Sequence, residues 1–163
     1  MKTFTDSNFV ELLIKYRDLS TEEAFLFYDK ILSEKDYFLN NTEYLSVLFN
    51  GFFDDALDLS YMAEVLDIIR EFKLKIDNDL YIKQIISEVE AFIPHAHYWY
   101  SLLLMDIIVP HNVNIIIETI KLLTPDVKTV LVKELKQIQI DDYWGKDKIL
   151  QELIQHILQS IGF

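Results

Sequence analysis

The chain has 163 residues, 51% of them hydrophobic, and no cysteine: enough apolar material for one domain-sized core, but no disulfide, thiolate nucleophile or sulfur-bound zinc. Fifteen basic residues face 27 acidic ones, and the net charge of −12 argues against a nucleic-acid ligand, because phosphate binding draws on clustered Lys and Arg. Its natural complement is a basic partner.

With 3 Gly and 3 Pro there is little raw material for hairpin turns or long linkers, so the expected fold is all-α. The opening "MKTFTDSNFVELL" lacks a basic region followed by an apolar run, so it does not read as a signal peptide. The longest apolar runs, such as "SLLLMDIIV", fall short of the roughly 20 residues that span a bilayer. These features predict a soluble, cytoplasmic protein with no membrane partner.

Residues 7–17 ("SNFVELLIKYR") predict a first helix, and "STEEAFLFYDKIL" a second, opened by a capping box of Ser20 and Glu23. Residues 42–53 predict a third, weakened by Gly51, and residues 56–72 a fourth in which Leu59, Met62, Leu66 and Ile69 share one face and Glu64, Asp67 and Glu71 the other. The fifth, over 79–92, carries the cleanest stripe: Ile82, Ile85, Ile86, Val89 and Ile93. The sixth, from His97 to Val109, is apolar almost all round and belongs in the middle of a core. Residues 112–123 follow, with Asn112 or Asn114 as cap. The next helix starts at "TPDVKTVLVKELKQI", with Thr124 as cap, Pro125 at the first position and Asp126 complementing the dipole. After a loop at "DDYWGKD" (141–147), a last helix over 147–161 ends at Gly162. The expectation is about nine helices in a single domain over residues 1–163, packed as antiparallel helical hairpins in the manner of an alpha solenoid, without a repeat of fixed period.

Three of the four histidines, His95, His97 and His111, lie in "FIPHAHYWYSLLLMDIIVPH". On a helix, positions 95 and 97 point about 200° apart, so their rings cannot converge on one ion, and no carboxylate stands at ligand spacing. The expectation is therefore no metal site, and solvent-facing histidines at a helix entrance. Trp99 reads as core, with an exposed neighbouring Tyr as the alternative interface anchor. No Gly-rich phosphate loop, GxSxG or Ser/His/Asp spacing appears, so neither catalysis nor a cofactor is expected.

Acidic clusters carry the binding signal. Residues 43–71 hold seven acids against the single base Arg70. Glu64, Asp67 and Glu71, with Asp54, Asp55 and Asp58 at the entrance to the same helix, read either as a solvated face or as a patch that steers a basic partner and accepts its arginines. In "DDYWGKD", Asp141, Asp142, Tyr143 and Trp144 read either as a loop capping the core or as an interface.

The run from "SYMAEVLDIIREF" through "YIKQIISEVEAFIPHAHYWYSLLLMDIIV" to "NIIIETIKLLTPDVKTVLVKELKQI" resembles the immunity protein 30 family of bacterial polymorphic-toxin and contact-dependent growth inhibition systems, over roughly residues 60–140. The resemblance rests on the helix ending "DIIREF", the stripe "YIKQIISEVEAF", Trp99 near the start of a buried helix, and "ETIKLLTPDVKTVLVKEL". It implies a non-catalytic antitoxin, a monomer that forms a heterodimer with a cognate toxin domain and blocks its active site or substrate access. A basic RNase or DNase domain suits the acidic composition. The alternative is a helical adaptor that binds a basic peptide or helix of an endogenous partner.

Overall fold

A computed structural model describes residues 6–163. The described residues form eleven α-helices and four short 3-10 turns, with no strand among them, so the chain is all-α. They divide into two compact units, Met1–Asn78 and Asp79–Phe163.

The first unit contains α1 (Asp6–Tyr16), α2 (Glu22–Ser33), α3 (Lys35–Asn40), α4 (Tyr44–Leu48) and α5 (Leu59–Glu71). Its core is aromatic. Phe9 of α1 stacks on Phe38 of α3 at 5.4 Å, and Tyr44 of α4 meets both rings edge-on at 5.7 and 5.1 Å. Between α1 and α2 the chain reverses at Leu19, which holds a left-handed φ of 54°. That conformation costs a side-chain-bearing residue about 1–2 kcal/mol, and complete burial of the leucine offsets it.

Local signals placed two elements of this unit imperfectly. The capping box of Ser20 and Glu23 does not form: Thr21 takes the extended cap conformation and its hydroxyl accepts the Ala24 N–H at 3.2 Å, while the Ser20 N–H turns back to Asp18 Oδ1. The helix expected over 42–53 is only α4, continued by a 3-10 turn Phe49–Gly51, and α3 arises from a segment that had no predicted element. Gly51, in the 3-10 turn that closes this segment, is pressed by two other helices. The Tyr28 hydroxyl donates to the Gly51 carbonyl at 2.5 Å, and a Cβ at Gly51 would stand 2.9 Å from Leu13 Cδ2 and 3.0 Å from the Tyr28 oxygen.

The second unit contains α6 (Asn78–Ser87), α7 (Val89–Phe92), α8 (His97–Ile107), α9 (Val113–Leu122), α10 (Pro125–Ile140) and α11 (Lys148–Ser160). Here α10 packs on α7, α8 and α11, and α11 packs on α9. The isoleucine stripe is buried as expected from Ile82 to Val89, but the helix breaks at Glu88 and changes phase. Phe92 therefore turns inward against Tyr100, with ring centroids 5.0 Å apart, and Ile93 is left half-exposed. This break and the unforeseen α3 raise nine expected helices to eleven.

Helix α8 buries Trp99, Tyr100, Leu103, Leu104 and Ile107, which matches its all-round apolar character. Asn112 stands at the N-cap position of α9, but its side chain makes no capping bond there. It is buried, and its side-chain amide donates to the Ile107 carbonyl at 2.9 Å, closing the end of α8. Thr124 and Asp147 cap α10 and α11, and Gly162 closes α11 with φ 88°. Among the described residues no single helix is long and apolar enough to cross a membrane; the run of α8 and the segment Pro110–Leu122 is bent by 90°.

Replacing Gly51 with alanine forces a methyl group against Leu13 and the Tyr28 hydroxyl, the overpacked situation that costs about 1–3 kcal/mol. A urea unfolding curve of Gly51→Ala should show a lowered midpoint with an unchanged slope, the unfolding free energy extrapolated to water falling by that amount.

Candidate functional site

Helix α5 begins where Asp58 accepts both the Ser60 N–H at 2.9 Å and the Ser60 hydroxyl at 2.6 Å. These bonds hold the Asp58 carboxyl below the ordinary aspartate range, the side-chain bond contributing most. From that start, Met62, Val65, Leu66 and Ile69 fall on the inner stripe and are at most 2% exposed, and Ile68 joins them. Leu59, expected on the same face, lies in the first turn and is 48% exposed.

Sealing the inner stripe sends the carboxylates outward. Glu64 and Asp67 are exposed, and Glu71 is partly so. Asp67 pairs with Arg70 at 3.3 Å one turn on, and Glu71 receives the Lys35 ammonium at 2.5 Å from α3. Glu71, foreseen as an acceptor for an incoming arginine, is thus already engaged with a lysine of its own unit. Asp55 is exposed and Asp54 half-buried ahead of the helix. Asp58, also foreseen as a contact, spends one oxygen on the cap. The first unit carries sixteen acids against eight bases over its sequence, the second eleven against seven, so the charge bias is concentrated where α5 lies.

The remaining foreseen contacts, Asp141, Asp142, Tyr143 and Trp144, belong to the second unit. Asp141 Oδ1 accepts the backbone N–H groups of Tyr143 at 2.8 Å and Trp144 at 2.9 Å, which folds the loop into a 3-10 turn, Trp144–Lys146. Those two bonds, that from Trp144 foremost, hold the Asp141 carboxyl below its usual range. Gly145 is required by this turn, since a Cβ there would come within 2.7 Å of the Gln139 carbonyl oxygen. The two aromatics differ in burial. Trp144 is half-buried and stacks on Tyr98 of α8 at 5.8 Å, whereas Tyr143 is 81% exposed.

Of the three histidines, His111 is exposed as expected, whereas the other two are tied into the protein. His95 and His97 are half-buried and bonded into the protein: His95 Nε2 lies 3.1 Å from the Ala91 carbonyl, and His97 Nδ1 lies 3.0 and 3.1 Å from the two carboxylate oxygens of Glu134. Glu134 is 2% exposed, the single buried acid among the described residues. A carboxylate taken out of water needs a partner, and His97 provides it across 37 positions of sequence. Sequence reasoning missed this pair, although Glu134 sits three residues after Leu131 and four before Ile138, on the inward stripe of α10. An acid on such a stripe is the signal that a partner exists. Nearby, Tyr100 donates to the Ile85 carbonyl at 3.2 Å, and burial, with the Glu134 charge, pushes its hydroxyl well above the ordinary tyrosine range. Among the described residues no group of three His, Asp or Glu side chains is arranged to hold a metal ion.

No family model matches the chain, and neither does any curated protein or solved structure.

Two outcomes follow from these contacts. His97→Ala leaves the Glu134 carboxylate buried without its partner, and thermal unfolding should reveal a loss of about 1–3 kcal/mol, with part of it restored in the His97→Ala, Glu134→Gln double variant. Because the Asp141 pKa is depressed in the folded loop, its stabilisation is present above the unfolded value near pH 4 and fades as pH falls through the lower folded value. Trp144 emission should therefore stay constant from pH 7 to about pH 4 and shift below it, and in Asp141→Ala the shifted emission should already be present at pH 7.

Proposed function

We propose that this chain is a non-catalytic immunity protein that binds a basic toxin domain, of the RNase or DNase kind, and blocks its active site or its access to nucleic acid in the cytoplasm. The observation that carries this reading is the outer face of α5, where Glu64 and Asp67 stand exposed on a helix whose opposite stripe is fully buried. Carboxylates on a rigid helix lose no backbone freedom when a guanidinium or ammonium docks, and their combined field speeds encounter with a positively charged cleft. The Lys35–Glu71 contact is the same chemistry within the molecule, although as a half-exposed pair it is worth only about 0–1 kcal/mol to stability. The exposed Tyr143 supplies a residue type that carries much of the binding energy at interfaces. The resemblance to the immunity protein 30 family over residues 60–140 points the same way.

The test is co-expression with the product of the gene immediately upstream, which this reading makes the toxin. The wild-type chain should protect the cell and form a one-to-one complex whose association rate falls steeply with salt. The Glu64→Lys, Asp67→Lys variant should associate at least tenfold more slowly at low salt and protect poorly. An unchanged rate would remove α5 from the contact surface. A chain that neither binds nor protects against that toxin, yet retains a basic peptide, would be an adaptor for an endogenous partner instead.

A further inference from the structure

A groove of about 510 Å³ opens in the second unit beside the 141–147 loop. Met105 and Ile108 at the end of α8 form one wall, Trp144 and Leu150 another, and the volume lies within the about 300–1,000 Å³ of sites that enclose organic ligands. Tyr143 and Ile149 also line it, 81% and 66% exposed. They are large side chains that contribute nothing to the core of the unit, and they extend the apolar surface beyond the groove itself. The one ionised side chain in the lining is Asp147, whose Oδ1 accepts the Leu150 N–H at 3.0 Å to cap α11. In the chain the lining residues, Leu153 among them, are flanked by Asp106, Asp142 and Glu152 and by Lys146 and Lys148, which with Asp147 makes four carboxylates against two ammonium groups.

We propose that this groove docks the apolar face of a basic amphipathic helix from a partner protein. An acidic helix would set like charges against Asp142 and Asp147, and a second copy of this chain would bring another net charge of −12 to the contact. A small apolar molecule confined to the groove leaves the exposed parts of Tyr143 and Ile149 uncovered. A helix with apolar side chains at i, i+3, i+4 and i+7, flanked by Lys or Arg, covers both of them, fills the groove, and places its cations by the carboxylates. Tyr143 and Trp144 are of the residue types that anchor such contacts. This deepens the binding reading of the 141–147 loop and rests on that part of it, while it requires nothing of α5.

Three designed 18-residue peptides test it: a helical Leu/Lys peptide with one apolar face, its Leu/Glu counterpart, and a Lys/Ser peptide of equal charge without an apolar face. Trp144 supplies the signal, since the other tryptophan, Trp99, is 4% exposed, and Trp144→Phe serves as the control that abolishes it. The Leu/Lys peptide should bind saturably at one to one and shift the Trp144 emission to the blue, at least tenfold more tightly than either control. The Tyr143→Ser, Ile149→Ser variant, altered only at exposed positions and checked for folding by circular dichroism, should bind it at least tenfold more weakly; Glu64→Lys, Asp67→Lys should bind within twofold of wild type. Equal binding of the Leu/Glu peptide removes the charge selection, and equal binding of the Lys/Ser peptide removes the apolar docking. Either result overturns the proposal, as does unchanged affinity in the loop variant. Loss of binding in the α5 variant alone would place the peptide on α5, refuting the groove while leaving the toxin reading intact. A groove that behaves as expected in a chain giving no protection from the toxin would separate the two the other way.

Discussion

A helix whose inner stripe is completely buried has no freedom over where its charges point. In α5 the side chains of Met62, Val65, Leu66 and Ile69 are held in the core of the first unit, so rotation about the helix axis would expose several large apolar groups at about 1.5–3 kcal/mol each. Glu64 and Asp67 are therefore presented outward as a consequence of packing on the other side. The binding surface proposed here depends on that rigidity: flexible carboxylates would attract a basic partner equally well at long range, but would lose conformational freedom on docking.

The same logic, inverted, governs the second unit. Glu134 is an acid on the wrong side of its helix, and the structure accommodates it by aiming His97 from α8 at both of its oxygens. A buried carboxylate with one partner is a weak source of stability, while removing that partner is costly because the charge is left buried and unpaired. Tyr100, with its hydroxyl directed to a backbone carbonyl, keeps the neighbouring polar atoms accounted for. His97, one of the histidines that drew attention as candidate ligands, therefore acts in holding α8 and α10 together.

Much of the architecture was legible from periodicity alone. The buried stripe from Ile82 to Val89, the central placement of α8, the Thr124 and Pro125 start of α10 and the Gly162 stop of α11 all depend on spacing and cap chemistry within a few residues, which are local properties. Outward display of Glu64 and Asp67 follows from the same rule. For the loop, the core-capping reading describes Trp144, which covers the start of α8 through Tyr98, while Tyr143 stands in solvent.

What spacing could not supply was anything set by a neighbour distant along the chain. Ser20 and Thr21 are equivalent caps on paper, and the choice between them depends on how the chain leaves the left-handed Leu19. Position 51 has room only for glycine because Leu13 and Tyr28, more than twenty residues earlier, occupy the space a side chain would need. The partnership of His97 with Glu134, the engagement of Glu71 by Lys35, and the groove assembled from α8, the 141–147 loop and α11 each join segments well separated in sequence. Helix type and facing are decided by the order of apolar and polar residues over one or two turns. Pairing and concavity are decided by which helices meet, and those contacts exist only once the chain has folded.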